Sequence, residues 1–163
     1  MHDQRLALER GLTRVWLLWG AMLGSLVIYL LIVRLVAPPG PPALAREVAG
    51  FRLDMLLFGV ALLVFLFAGV LRRALLAPRA EPPAGLEGAG GLVVRAALSR
   101  YFIAVIVSNA LVESVGILAL VLCFTGLAVD TAYSLIFLAA LGMLLLRPRW
   151  TELDALAAGL RRG

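Results

Sequence analysis

Four long apolar runs, separated by short segments that carry most of the charged residues, constrain the fold of this chain more than any other feature. An α-helix rises about 1.5 Å per residue, so about 20 apolar residues cross the roughly 30 Å hydrocarbon core of a bilayer. Only 15% of the residues are charged, whereas about a quarter are charged in ordinary soluble domains. The pattern therefore predicts a polytopic membrane protein that folds as one helical bundle.

The predicted architecture is all-α: a four-transmembrane-helix bundle with a short amphipathic helix at each terminus. The spans are predicted at residues 15–34, 55–73, 101–124 and 129–146. The remaining segments are an amphipathic segment at 1–14, an outer loop at 35–54, a cytoplasmic linker at 74–100, an outer turn at 125–128 and an amphipathic tail at 147–163. Because the outer turn is so short, we expect the third and fourth spans to form an antiparallel hairpin.

The distribution of arginine predicts the orientation of the bundle. All fifteen basic residues are arginine. Twelve would lie on one side of a four-span bundle: Arg5, Arg10, Arg14, Arg72, Arg73, Arg79, Arg95, Arg100, Arg147, Arg149, Arg161 and Arg162. The other side would hold three: Arg34, Arg46 and Arg52. The positive-inside rule then places both termini in the cytoplasm, and we expect a multi-pass protein of the bacterial inner membrane.

The arginines also indicate the class of partner. They flank apolar runs, which favours contact with anionic lipid head groups and gives no support to a nucleic-acid partner. Enzyme signatures are missing: there is no G-x-x-x-x-G-K, no H-E-x-x-H and no C-x-x-C, and the chain has one histidine. The single Cys123 excludes an intramolecular disulfide and a cysteine metal cage. We therefore expect no catalytic residue, no metal and no cofactor.

One acidic residue interrupts the third span. The stretch SNALVESVGILALVL, residues 108–122, is apolar around Glu113, which lies near the centre of residues 101–124. An ionised side chain at that depth costs roughly 2.5–3.5 kcal/mol on insertion scales. Burial disfavours the charged form, so we expect Glu113 to be protonated for much of the time. A neutral carboxyl group still requires hydrogen-bond partners.

Helical spacing predicts where those partners lie. Asn109 precedes Glu113 by four residues and is expected to reach it on the same helix face. Ala110 and Gly116 lie three residues before and after Glu113, and small residues let a second helix approach closely. The stripe of these four residues therefore predicts a helix–helix interface or an internal cavity, and it is expected to face protein.

The segment ALVESVGILALVL, residues 110–122, resembles the carboxylate-bearing helix of the proteolipid, or c, subunit of rotary ATPases. That family has a small residue, a leucine or similar residue, a variable position, the glutamate and then an aliphatic run. The matching positions are Ala110, Leu111, Glu113, Ile117 and Leu120–Val121. The resemblance implies that Glu113 would bind a transported proton or sodium ion.

Two further sets of residues suggest contacts. Gly20 and Gly24 in the first span form a G-x-x-x-G pattern, which is typical of helix association faces. Four charged residues are expected at the outer rim: Arg34, Arg52, Asp54 and Asp130. They can pair and fix the rim, or remain as solvated boundary charges, since exposed pairs contribute little.

Two functions follow from these patterns. The first is a non-enzymatic subunit or assembly partner that docks in the bilayer, against itself or a larger membrane complex, through the Glu113 and Asn109 face. The second is a proteolipid-like protein that translocates protons or cations with Glu113 as its ion site. In both, the lipid bilayer is a partner.

Overall fold

The computed structural model describes residues 2–36, 47–48, 51–77, 90–124 and 129–162. Its helices are α1 (His2–Val36), α2 (Leu53–Leu76), α3 (Gly90–Phe124), α4 (Val129–Leu145) and α5 (Trp150–Arg162). Two short strands, β1 (Glu47–Val48) and β2 (Phe51–Arg52), pair antiparallel with Glu47 opposite Arg52 and Val48 opposite Phe51. The predicted all-α class is confirmed, and the strand pair in the outer loop was not predicted.

Two helices are longer than the sequence predicted. Residues 1–14 were expected as a separate surface segment, but α1 runs without a break from His2 to Val36. Residues 90–100 were expected in the linker, but they form the first turns of α3. Both stretches contain several Leu and Arg residues, and residues 90–100 also contain two Ala; all three types favour helix. Extending an existing helix adds a hydrogen bond per residue, so it continues until a residue stops it.

Three helices are long and apolar enough to cross a membrane. These are Leu8–Val36, Met55–Leu76 and Val93–Phe124, with mean hydropathies of 2.2, 2.4 and 2.2. The 17-residue α4 qualifies only together with α5, to which it is joined at a bend of 48°. The chain thus has three candidate membrane spans, or four if α4 and α5 count as one bent span. This supports a multi-pass membrane protein.

α3 lies at the centre of the bundle and packs against each of the other four helices. A Cβ atom at Gly11 of α1 would meet Leu98 of α3, and a Cβ at Gly116 of α3 would meet Leu26 of α1. Higher numbers in one helix therefore meet higher numbers in the other. α1 and α3 are parallel neighbours.

α4 runs in the opposite direction beside α3. The Tyr101 hydroxyl of α3 lies against Arg149, just after the end of α4. Farther along α3, Val112 lies beside Gly142, in the middle of α4. The predicted antiparallel packing of the third and fourth spans is present, although its turn at 125–128 lies outside the described residues. The carboxyl end of α2 meets the amino-terminal part of α3, where the Arg100 guanidinium donates to Leu75 O at 2.7 Å.

Two groups of buried apolar side chains hold the helices together. The first, which we call the bundle core, is formed by α1, α2, α3 and α4 together and includes Leu26, Val112 and Leu135. The second, which we call the end core, joins the amino-terminal parts of α1 and α3 to α5 and includes Leu8, Val94 and Leu153.

The end core changes the expected role of the tail. The sequence predicted a surface helix with an apolar side at Leu153 and Leu160. Leu153 is fully buried, and Leu156 and Ala157 are buried beside it against α1 and α3; the Leu160 side chain lies outside the described ones. The apolar side of α5 therefore packs on protein, because the continuous α1 and α3 extend far enough to meet it.

Candidate functional site

The Glu113 side chain lies on α3, half-buried at the edge of the exposed face of that helix. The same face carries Ile103, Ile117 and Val121, each about half exposed. Glu113 comes eleven residues before the end of α3 at Phe124, a rise of about 16 Å. If α3 spans a bilayer, this depth is close to the middle of the roughly 30 Å hydrocarbon core.

Two hydroxyl groups of α1 hold one oxygen of this carboxyl group. Ser25 Oγ and Tyr29 Oη both donate to Glu113 Oε1, the latter at 3.0 Å. Ser25 Oγ also lies 2.6 Å from Met22 O. A hydroxyl carries a single hydrogen, so Ser25 donates to one of these acceptors at a time. Oε1 therefore has two donors within reach, both from a helix 84 to 88 residues away in the chain.

The second oxygen of the carboxyl group is left open. Within the described part of the chain, Glu113 Oε2 has no hydrogen-bond partner. Among the described residues, two side-chain polar atoms are both enclosed and without a partner, Arg72 Nε and Asn109 Oδ1. Glu113 Oε2 is not one of them, so it is not enclosed. The carboxyl group thus binds protein through one oxygen and presents the other at the surface of the bundle.

Gly116 explains how α1 comes so close. A Cβ atom at this position would lie 2.6 Å from Leu26 Cδ2 and 3.2 Å from Tyr29 Cδ2. Contacts under 3.0 Å force a neighbour to move, so only glycine fits without a shift. The missing side chain one turn after Glu113 lets Ser25 and Tyr29 reach the carboxyl group.

Asn109 is placed differently from the prediction. Its side chain is fully buried, and Nδ2 donates to Val105 O of its own helix at 2.8 Å. Asn109 Oδ1 has no partner in the described residues. The predicted hydrogen bond with Glu113 does not form, because the amide bonds back to the preceding turn while the carboxyl group turns to the α1 hydroxyls.

The small residues of the predicted stripe do not share one environment. Ala110 is exposed on the single chain, so its predicted contact with protein stays a prediction, whereas Gly116 is buried against α1. At 100° per residue, the two lie about 60° to either side of Glu113. Cβ atoms at Gly20 and Gly24 would meet nothing within 4 Å, so this predicted association face makes no close contact with the other described helices of the chain.

The structure describes the side chains of two of the four predicted outer-rim residues. Arg34 and Asp130 are exposed at the ends of α1 and α4. The Arg52 and Asp54 side chains lie outside the described ones. Pairing among these four residues stays a prediction.

Sequence analysis missed a second polar site at the opposite end of the bundle. Arg72, counted as a boundary charge, is buried with 5% of its surface exposed. Its guanidinium donates to Leu146 O, to Arg147 O at 3.2 Å and to the Glu152 carboxylate at 2.7 Å. These acceptors lie at the bend between α4 and α5. A buried arginine requires a carboxylate or several carbonyls as acceptors. The carboxylate of Glu152 on α5 was therefore the sequence signal that could have indicated a buried partner for an arginine.

A tyrosine secures the same bend. The Tyr101 hydroxyl donates to Arg149 O at 3.1 Å and accepts from Arg149 N–H at 2.7 Å. The backbone that links α4 to α5 is thereby fastened to α3, while Arg72 fastens it to α2.

These geometries limit the chemistry of the Glu113 site. A carboxyl group with two hydroxyl donors can hold a proton, or form a hydrogen bond with a group that approaches Oε2. In the part of the chain that the structure describes, no three His, Cys, Asp or Glu side chains lie close enough to hold a metal ion. Comparison with protein-family models, with curated proteins and with solved structures finds no match to this chain.

Proposed function

We propose that this protein is a non-enzymatic subunit or assembly partner of the bacterial inner membrane, which docks in the bilayer against a second membrane protein or a second copy of itself. The contact is the exposed face of α3 around Glu113. One observation carries the proposal: Oε2 of the Glu113 carboxyl group is not enclosed and has no partner among the described residues, while Ser25 and Tyr29 both lie within hydrogen-bond reach of Oε1.

The energetic argument starts from the surroundings of that oxygen. Hydrocarbon offers no hydrogen bonds, so an open polar atom there is costly. In the protonated acid, Oε1 serves as the carbonyl acceptor for the two hydroxyls, and the acidic O–H at Oε2 faces outward. A carbonyl or hydroxyl from another helix would satisfy it, and such bonds within membranes contribute about 0.6–2 kcal/mol.

The residues around Glu113 suit a second helix. Ala110 and Ser114 are exposed, one turn apart and beside the carboxyl group, so a neighbouring backbone can come close. Ile103, Ile117 and Val121 extend the same face above and below. A partner helix laid along α3 would therefore meet small and aliphatic side chains, with a single polar group at the centre.

The proposed orientation places both termini in the cytoplasm. The helix directions bring arginines of three helices and of the link after α4 to one end of the bundle, among them Arg14, Arg73, Arg100 and Arg147. The positive-inside rule assigns that end to the cytoplasm.

Photocrosslinking tests the contact. A photoreactive phenylalanine analogue is placed at Ala110 in native membranes, and the matched control carries it at Leu63, a residue of α2 that is 66% exposed. We expect a defined crosslinked species from position 110, lost or strongly reduced by Glu113→Gln, and none from position 63. Equal crosslinking at both positions, or a product that Glu113→Gln leaves unchanged, contradicts the proposal.

A second candidate function is translocation of protons or cations with Glu113 as the ion site. It is favoured by the convergence of two hydroxyl oxygens on a carboxyl group and by the resemblance of residues 110–122 to the proteolipid helix. A carbodiimide reacts with a protonated, accessible acid, so we expect labelling of Glu113 in both functions. Protection from labelling by sodium at constant pH is expected only for an ion site, and its absence in a sodium series counts against a sodium site.

A further inference from the structure

A long apolar groove runs between α2 and α4. It consists of two adjoining depressions of about 260 Å³ and about 430 Å³ that share Leu138 and Leu141. The groove extends along α4 from Tyr133 to Leu146, a rise of about 20 Å. It is open because α2 and α4 contact each other far less than either contacts α3.

The face of α2 that lines the groove leads toward the arginine-bearing end of the bundle. Leu62 lines it, and Gly69 and Arg73 follow at spacings that keep them on the same face of the helix. A Cβ atom at Gly69 would meet nothing within 4 Å, so the described residues leave space beside this position.

Two exposed guanidinium groups lie at this end of the groove. Arg73 is exposed, and Arg149 Nη2 lies 3.5 Å from the carbonyl oxygen of Leu145, a residue that lines the groove. Arg72 links α2 to the Leu146 and Arg147 carbonyls, so the ends of α2 and α4 are level. Arg72 itself is buried and already bonded. The helix position of Arg73 and the Leu145 contact of Arg149 therefore indicate these two arginines as candidates for a ligand's anionic group.

We propose that this groove binds an anionic phospholipid, with one acyl chain between α2 and α4 and the phosphate at Arg73 and Arg149. The groove is somewhat longer than one leaflet of the hydrocarbon core, which is about 15 Å thick. Guanidinium groups bind phosphate through paired hydrogen bonds. Anionic lipids also attract clustered arginines near the cytoplasmic surface. An apolar groove with two exposed arginines at its end matches an anionic phospholipid in both of its parts.

Lipid titration followed by native mass spectrometry tests the proposal. The full chain is purified and delipidated in mild detergent, then titrated with phosphatidylglycerol or phosphatidylcholine of the same acyl composition. We expect one phosphatidylglycerol to bind at least tenfold more tightly than phosphatidylcholine. The double change Arg73→Gln with Arg149→Gln is expected to remove that preference, a loss of about ten- to thirtyfold in affinity for the anionic lipid.

A second variant tests the acyl chain separately from the head group. Gly69→Leu places a side chain in the open path and is expected to weaken binding of both lipids. Gly59→Leu is its matched control, because Gly59 also has open space around it but lies about 80° around α2 from Gly69. Arg95→Gln, an exposed arginine of α3, is the matched control for the charge change.

Circular dichroism and gel filtration establish that each variant is folded. Equal affinity of the wild-type chain for both lipids overturns the proposal, and so does a loss of preference that Arg95→Gln reproduces. Equal effects of Gly69→Leu and Gly59→Leu, or a polypeptide found in the groove after purification, overturn the assignment of the groove to an acyl chain.

Discussion

Arg72 and Glu113 are both ionisable residues held among helices, but their surroundings differ. Arg72 lies at the end of the bundle, with two carbonyls and a carboxylate as acceptors. Glu113 lies about 16 Å inside α3 from its carboxyl end, with two hydroxyl donors on one oxygen and, among the described residues, none on the other. The buried cation is bonded almost completely within the chain, whereas the acid is bonded on one side only.

The difference separates a structural role from a role toward another molecule. Arg72 joins α2 to the bend between α4 and α5, and all but one of its donor nitrogens serve that joint. Glu113 joins α3 to α1 through Oε1 but keeps Oε2 available. Changes at Arg72 should therefore act on folding, and changes at Glu113 should act chiefly on association.

The largest effect is expected for Arg72→Gln. The Leu146 and Arg147 carbonyls and Glu152 would lose their shared cation, and breaking a buried pair costs about 3–5 kcal/mol. Glu152 can turn to solvent, so we expect the free energy of unfolding in detergent to fall by about 3 kcal/mol. Proteolysis at residues 147–149 should rise in parallel. Arg95→Gln is the control, and an equal loss there would end the contrast.

An intermediate effect is expected for Gly116→Leu, which separates α1 from α3. Overpacking a close contact costs about 1–3 kcal/mol, and the side chain would collide with Leu26 and Tyr29. The same change at Gly59 enters open space and should be nearly neutral. Thermal unfolding measures both variants. An unchanged melting temperature for Gly116→Leu would show that α1 can move away from α3 at no cost. It would contradict the conclusion that the close α1–α3 contact holds the Glu113 carboxyl group in place.

The smallest effect is expected for Tyr29→Phe, which removes one of the two donors to Oε1. A hydrogen bond of this kind contributes about 1 kcal/mol. In a Glu113→Leu background, where the carboxyl acceptor is gone, the same change should have a much smaller effect. Tyr133→Phe is the control, because the structure gives the Tyr133 hydroxyl no partner among the described residues. Additive effects of the Tyr29 and Glu113 changes would disprove the bond.

Hydropathy was sufficient to predict the four apolar helices, because it depends on composition over about 20 residues and not on contacts. Their ends were harder to predict. Nothing in residues 1–14 distinguishes a separate surface helix from the first turns of a longer one. The difference is decided by α5, whose Leu153 packs on the extended parts of α1 and α3.

The environment of Glu113 could be predicted only in part. Helical spacing showed that Asn109 and Gly116 lie on the same side of α3 as Glu113. It did not show where the buried side of the helix ends, and Ala110 lies on the exposed side. The hydrogen-bond donors come from α1, and local spacing carries no information about a partner so distant in the chain. One signal was present: Ser25 and Tyr29 are polar and four residues apart in an apolar run.

The shortness of α4 has a consequence for the surrounding lipid. Its 17 residues rise about 25 Å, less than the hydrocarbon thickness of a typical bilayer. A helix that is too short is accommodated by compressing the membrane beside it, at a modest cost for each ångström of mismatch. If α4 crosses the membrane without α5, we therefore expect a locally thinned bilayer beside it and greater stability of the protein in thin membranes.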